Sequence, residues 1–277
     1  MEKPLITVCI TNYNSFDFVS LNLFALKKLT KNSYKVIIRD NNSRISDYQK
    51  LENLIKEKYN NVYLYRVETK LLGSVAHGEA LNDLVSQIDT EYGVILDADA
   101  VFLKKNWDEI LISKMNDQMP IYGTQADSNG KKPMDFPLMF AIIFKTDILK
   151  SLNIDFRPRD LSKHEDTGFE LREKYLSNNF SGGLLYDFNT RTFKKGLFAD
   201  IVCSEYYLSK EEPRKIFASH FGRGSAPSAK KLVRAGSNDG IFIKFLNKIL
   251  LGFNFIKWKK DRKDWINKSK IIINNNV

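Results

Sequence analysis

The sequence predicts an α/β protein whose sheet is mainly parallel and covered by helices. Strand-like and helical segments alternate through the first hundred residues, the pattern of parallel strands joined by helical crossovers. The strand segments are apolar runs without clean alternation, as in strands buried on both faces. Three of them end in polar clusters, Thr11-Asn12-Tyr13, Asp40-Asn41-Asn42 and Asp97-Ala98-Asp99. Ligands of open α/β sheets bind beyond the carboxyl ends of the strands, so three clusters in equivalent places carry more weight than any one of them.

Leu5–Thr11 is the first expected strand, followed by the polar break Asn12-Tyr13-Asn14-Ser15. Phe18, Leu21, Leu23, Phe24, Leu26 and Leu29 then recur at helical spacing. Tyr34–Arg39 reads as a strand, Ser46–Tyr59 as a helix, Asn61–Val67 as a strand and Gly73–Ile88 as a helix. Tyr92–Leu96 is another buried strand. Beyond Asp99 the pattern loosens. A helix is expected at Asn106–Met115, strand-like runs mixed with loop at Pro120–Phe144, a helix at Thr167–Ser177, and a Gly/Ser loop, FGRGSAPS, after His220. Residues 1–235 read as one domain, with a donor half to about 100 and an acceptor half to 235, and 236–277 as a basic tail.

Composition narrows the function classes. The 277 residues are 43% hydrophobic and 27% charged, ordinary for a globular protein and unlike a disordered or collagenous one. Two cysteines, Cys9 and Cys203, and three histidines exclude a disulfide scaffold and a Cys-rich zinc site. The net charge of +10 predicts an anionic partner. Between Lys244 and Lys270 nine Lys or Arg face only Asp261 and Asp264, a net +7, so the main body is almost balanced. That argues against a nucleic-acid groove, and no nucleic-acid-binding motif is evident. Phe242, Phe245, Leu246, Ile249, Leu250, Phe253 and Ile256 recur at helical spacing beside these lysines. This is the pattern of an amphipathic helix on an anionic membrane surface. A helix docked on the domain or on a second subunit would read alike. Without an export signal in the sequence, the expected location is cytoplasmic, against the inner face of the cell membrane.

Asp97-Ala98-Asp99 is the sharpest feature. Two carboxylates two residues apart, after a strand leaving an apolar core, can hold a hard divalent cation through oxygen. A solvated acidic turn is the plain alternative. His164-Glu165-Asp166-Thr167 precedes an expected helix, so its carboxylates suit either a general base or a helix N-terminus. His220, in Ser219-His220-Phe221-Gly222, is a metal ligand or a structural imidazole.

With ITNYN at 10–14, Asp40-Asn41-Asn42-Ser43 after the second strand, ILDAD at 95–99 and Glu165-Asp166 in the second half, the chain resembles the GT-A-fold glycosyltransferases and is similar to their family 2. The resemblance runs over roughly residues 4–225. It implies that Thr11, Asn12 and Tyr13 border the nucleoside and that Asp40 accepts a hydrogen bond from the base, most simply uracil. It implies that Gly73 to Asn82, with His77, wall the ribose and diphosphate. Asp97 would touch ribose or sugar, and Asp99 would bind Mn²⁺ or Mg²⁺ with His220 as a further ligand. Asp166 would be the base, supported by Glu165, and Arg223 would close over the diphosphate. Asn12 departs from the family pattern, in which other residues follow a proline, and this leaves the donor base open.

The expected function is transfer of a sugar, with inversion, from a nucleotide sugar to a glycan or lipid-linked hydroxyl in surface polysaccharide or glycolipid synthesis. A nucleotidyltransferase would show a Gly-rich basic phosphate loop after the first strand. The NYNSFDF found there has neither glycine nor Lys or Arg. A nucleic-acid binder is suggested by charge alone. Trp107, Phe136, Phe140, Phe169 and Tyr175 are candidates to line an acceptor site or to fill the core. An oligomer is compatible with the sequence.

Overall fold

A computed structural model describes residues 3–127, 132–163, 165–210, 215–222 and 241–276; the side chains of Lys163 and of residues 241–254 lie outside that description. The donor half holds β1 (Ile6–Asn12), α1 (Phe16–Leu29), β2 (Tyr34–Asp40), α2 (Ile45–Lys58), β3 (Val62–Arg66), α3 (Gly73–Ser86) and β4 (Tyr92–Leu96). These elements fall within one or two residues of the expected ones. β5 (Ala100–Phe102), α4 (Trp107–Lys114), β6 (Ile121–Thr124), β7 (Leu138–Lys145), α5 (Thr146–Ser151) and α6 (Glu170–Ser177) follow, then β8 (Gly183–Asn189), β9 (Ser204–Tyr207), β10 (Ala218–His220) and α7 (Ile241–Asn275).

The strands form one sheet in the order β3-β2-β1-β4-β7-β6-β8-β9-β10-β5. Its first four strands are parallel, as expected. The remainder is mostly antiparallel: β7 runs against β4 and β6, β9 runs against β8 and β10, and β10 runs against β5, while β6 and β8 pair parallel. The sheet as a whole is therefore mixed rather than mainly parallel.

Side chains alternate across the sheet with period two. Ile6, Val8 and Ile10 of β1, Val36 and Ile38 of β2, and Val94 and Leu96 of β4 join one core with α1, Trp107, Leu111 and Trp265. Cys9, Ile37 and Ile95 point the other way, into a core with Leu81, Leu84, Leu149, Leu171 and Tyr175. Helices therefore cover both faces.

The C-terminal part of α7 is docked, which fits the second reading of that segment. Trp265 and Ile273 are fully buried in the first core. Arg262 pairs with Asp17 at 3.0 Å, and Asn276 donates to the Leu103 carbonyl. Among the described residues no helix is long and apolar enough to cross a membrane.

Candidate active site

The site lies where β1, β2 and β4 end. Asp97 follows the last residue of β4, its N–H bound to the Phe140 carbonyl of β7 at 2.8 Å. The Asp97-Ala98-Asp99 turn is held from beneath by Asn22, whose amide donates to the carbonyls of Asp97 and Ala98 at 3.3 and 3.1 Å. β5 begins immediately after Asp99. Its register with β10 sets His220 opposite Ala100, and Phe221 donates its N–H to the Asp99 carbonyl at 2.8 Å. Strand pairing therefore delivers His220 to Asp99, with Nε2 at 3.4 Å from Oδ1.

Asp97, Asp99 and His220 each offer one ligand atom, all within 4.8 Å of one another. Two carboxylate oxygens and an imidazole nitrogen suit a divalent ion of the Mn²⁺ or Mg²⁺ type. The fit is supported by Asp97 Oδ1, which is buried and makes no hydrogen bond within the protein. Burial pushes the Asp97 carboxyl up, and Asp99 and Asp166 push the same way, while His77 and His220 oppose them. Burial pulls the His220 imidazole down, but Asp99, Asp97 and Asp187 outweigh it and the net direction is up. A cation at this point would relieve the carboxylate repulsion.

Helix α3 supplies the next wall. Gly73 opens it at φ +59, in the left-handed region that glycine enters without strain. Ser74 and His77, three apart and so on one face, reach the two acidic groups. His77 Nε2 stands 3.4 Å from Asp97 Oδ1, and Ser74 Oγ donates to Asp166 Oδ1 at 2.6 Å. Asp166 also accepts the Thr167 N–H and pairs through Oδ2 with Lys132 at 2.9 Å. Burial raises its carboxyl, but Ser74, Lys132 and the Thr167 N–H prevail and hold it at about 2. The helix-start alternative does not describe Asp166. Helix α6 begins at Glu170 with Phe169 at its cap, four and three residues further on. Glu165 has a different place: its Oε2 accepts the N–H groups of Arg159 and Asp160 and shapes the preceding loop.

At the ends of β1 and β2, Asp40 is fully buried. It accepts from Asn12 at 2.7 Å, from the Ser43 N–H at 3.0 Å and from Arg66 at 3.2 Å. The oxygens Thr11 Oγ1, Asn12 Oδ1 and Asn41 Oδ1 are buried there without a partner in the protein, and Tyr13 is exposed. Buried polar atoms are usually satisfied, and a group of exceptions along one edge marks a surface made for polar contacts.

Thr11, Asn12, Tyr13, Asp40, Gly73, His77, Asp97, Asp99, Asp166 and His220 thus share the edge beyond the strand ends. Arg223 and His164 lie outside the described residues. Of the five aromatics, Phe140 is at the site, its ring 4.2 Å from that of His220, whereas Trp107, Phe136 and Tyr175 are core. Sequence reasoning missed Asn22, Arg66, Lys132 and Asp187, and held Ser74 only as part of the Gly73 to Asn82 wall. Asn22 had a signal, a polar residue amid the apolar spacing of α1. Asp187, on β8, is pushed up to about 6 by burial, against a Ser204 hydrogen bond and with Asp127 adding to the rise.

Comparison with known proteins agrees with this geometry. The profile of Glycosyl transferase family 2 matches residues 7–172. Among solved structures, the mannosyltransferase PcManGT from Pyrobaculum calidifontis, in complex with GDP-Man and Mn²⁺, is similar at 17% identity and a TM-score of 0.52, over 72% of this chain and 60% of that one. TarS of S. aureus is similar at 18% identity and a TM-score of 0.51, over 66% of this chain and 35% of that one. Its 1–349 portion in complex with UDP-GlcNAc gives 16% identity and a TM-score of 0.50, over 70% and 64%. The chain thus spans less than two thirds of the length of these neighbours, and no curated protein sequence matches it. With the family profile covering more than half its length, the chain belongs to Glycosyl transferase family 2, with a GT-A-like fold.

Proposed function

We propose that the protein is a metal-dependent glycosyltransferase that moves a sugar from a nucleotide sugar, a UDP-sugar first, to the hydroxyl of a glycan or lipid-linked acceptor with inversion. The observation that carries this is the convergence of Asp97, Asp99 and His220 within 4.8 Å on the edge that also holds Asp166. Neighbours in complex with GDP-Man and Mn²⁺ or with UDP-GlcNAc support it.

Asp97, Asp99 and His220 would hold Mn²⁺ or Mg²⁺, which offsets the charge of a departing nucleoside diphosphate. Thr11, Asn12, Tyr13 and Asp40 border the nucleoside, and Gly73 and His77 border the ribose and diphosphate. Asp166 accepts the proton of the acceptor hydroxyl as its oxygen bonds to the anomeric carbon and the bond to the diphosphate breaks. A sugar hydroxyl is a poor nucleophile until that proton is leaving. Glu165 supports Asp166 by fixing the loop before it.

The acceptor belongs to surface polysaccharide or glycolipid synthesis, reached from the cytoplasmic face of a membrane. Phe255 and Ile256 are exposed beside exposed Lys257, Lys259 and Lys260, a pairing suited to an anionic bilayer. Co-sedimentation with phosphatidylglycerol vesicles, but not with phosphatidylcholine ones, tests this placement. For the reaction, thermal shift and product formation are read across UDP-, GDP- and dTDP-sugars with Mn²⁺. A response to one donor that vanishes in Asp99→Ala is expected; no response to any nucleotide sugar overturns the reading.

A further inference from the structure

We infer that Trp265, on α7, is a positioning residue for His220, so that the C-terminal helix sets the geometry of the metal site. The inference rests on the reading of His220 as a ligand.

The indole Nε1–H of Trp265 donates to Ser219 Oγ at 2.9 Å, and the Ser219 hydroxyl donates in turn to the Ser204 carbonyl at 2.9 Å. A buried indole has only that one donor to satisfy, and a hydroxyl that both accepts and donates is fixed in direction. On the other side of His220, the Phe221 ring lies 5.9 Å from Trp265 and 5.6 Å from Phe18, and Phe18 lies 5.8 Å from Trp265. Trp265, Phe18 and Phe221 are all at most 1% exposed. Trp265 therefore holds both chain neighbours of His220, one by a hydrogen bond and one by ring packing.

Alternation along β10 makes this mechanical. Residues 219 and 221 point to one face and 220 to the other, where its ring meets Phe140 at 4.2 Å and its Nε2 faces Asp99. Trp265 presses on the back of the strand whose front carries the imidazole. Phe221 also gives its N–H to the Asp99 carbonyl, so a shift of residue 221 moves two of the three ligand residues relative to each other.

The test is Mn²⁺ alone, titrated by electron paramagnetic resonance into the full chain and its variants. Trp265→Phe keeps the ring and loses the hydrogen bond, and Ser219→Ala removes the acceptor with little change of volume. Each is expected to raise the Mn²⁺ Kd roughly fivefold, below the 10–100-fold typical of direct outer-shell partners of a ligand. UDP affinity in EDTA should stay at the parent value, and neither change should add to the effect of His220→Ala. A purely structural role would lower Tm without moving the Kd. Parent-like Kd values in both variants, or an equal effect of Trp265→Phe in the His220→Ala background, overturn the inference. If His220→Ala itself binds Mn²⁺ like the parent, the ligand assignment fails, and the inference with it.

Discussion

Lys132 Nζ sits 2.9 Å from Asp166 Oδ2, opposite the Ser74 hydroxyl on the other carboxylate oxygen. The carboxylate is thereby kept ionised at about 2, below its ordinary value of 3.8. A depressed carboxylate stabilises the fold above its unfolded pKa and loses that contribution as the pH falls toward the folded one. Asp166→Asn should cost about 1 kcal/mol at pH 7, a figure discounted because the side chain is half exposed. The deficit should narrow between pH 4 and pH 2, which denaturant unfolding across that range measures. The same substitution should lower transfer by about 10²-fold or more while leaving donor binding in place.

Cation binding should appear as stability. At Mn²⁺ concentrations near 100 times its Kd, the folded protein should gain about 2.7 kcal/mol. Chelation should remove the gain, and Asp99→Ala should show none of it, because two of three ligands leave an incomplete set. Thermal unfolding with Mn²⁺ and with EDTA measures both.

Arg66 clamps the turn after β2. It bonds Asp40 Oδ1 at 3.2 Å, the Ser43 carbonyl at 2.6 Å and Asn42 Oδ1 at 2.6 Å. Because Asp40 is fully buried, Arg66→Ala leaves its charge to Asn12 and the Ser43 N–H alone. The expected loss is about 2 kcal/mol, under the usual cost of breaking a buried pair because those two bonds remain. Urea unfolding reads it, and UDP binding should weaken in parallel.

Gly78 has no room for a methyl group. A Cβ there would come within 2.5 Å of the Phe156 carbonyl and 2.6 Å of Arg157 Cα, both backbone. Gly78→Ala should destabilise by about 3 kcal/mol, at the upper end for overpacking. It should also push α3 off the 156–157 segment, carrying His77 away from Asp97. Unfolding and Mn²⁺ titration together would show both effects.

The donor half was legible in the sequence because its strands are buried on both faces and its crossovers are helical. β1, β2 and β4 announce themselves as apolar runs, and their polar ends mark the site. The second half was less so. β5 is three residues long and β9 and β10 are short, with no periodicity to find, and their pairing depends on partners far along the chain. His220 could be nominated by type, but only the register with Ala100 shows it beside Asp99. Lys132 lies in a loop, and nothing in its neighbours distinguishes it from other surface lysines. Trp265 sat in a segment dominated by charge, where its burial was masked by the surrounding lysines and arginines.

The closing pair of strands has a consequence for biosynthesis. Residues 100 and 220 meet across it, so a growing polypeptide released as far as Phe102 carries Asp97, Asp99 and His77 but not His220. The cluster of Asp97, Asp99 and His220 is finished only when the returning strand has left the ribosome and found its place, a slow, non-local event.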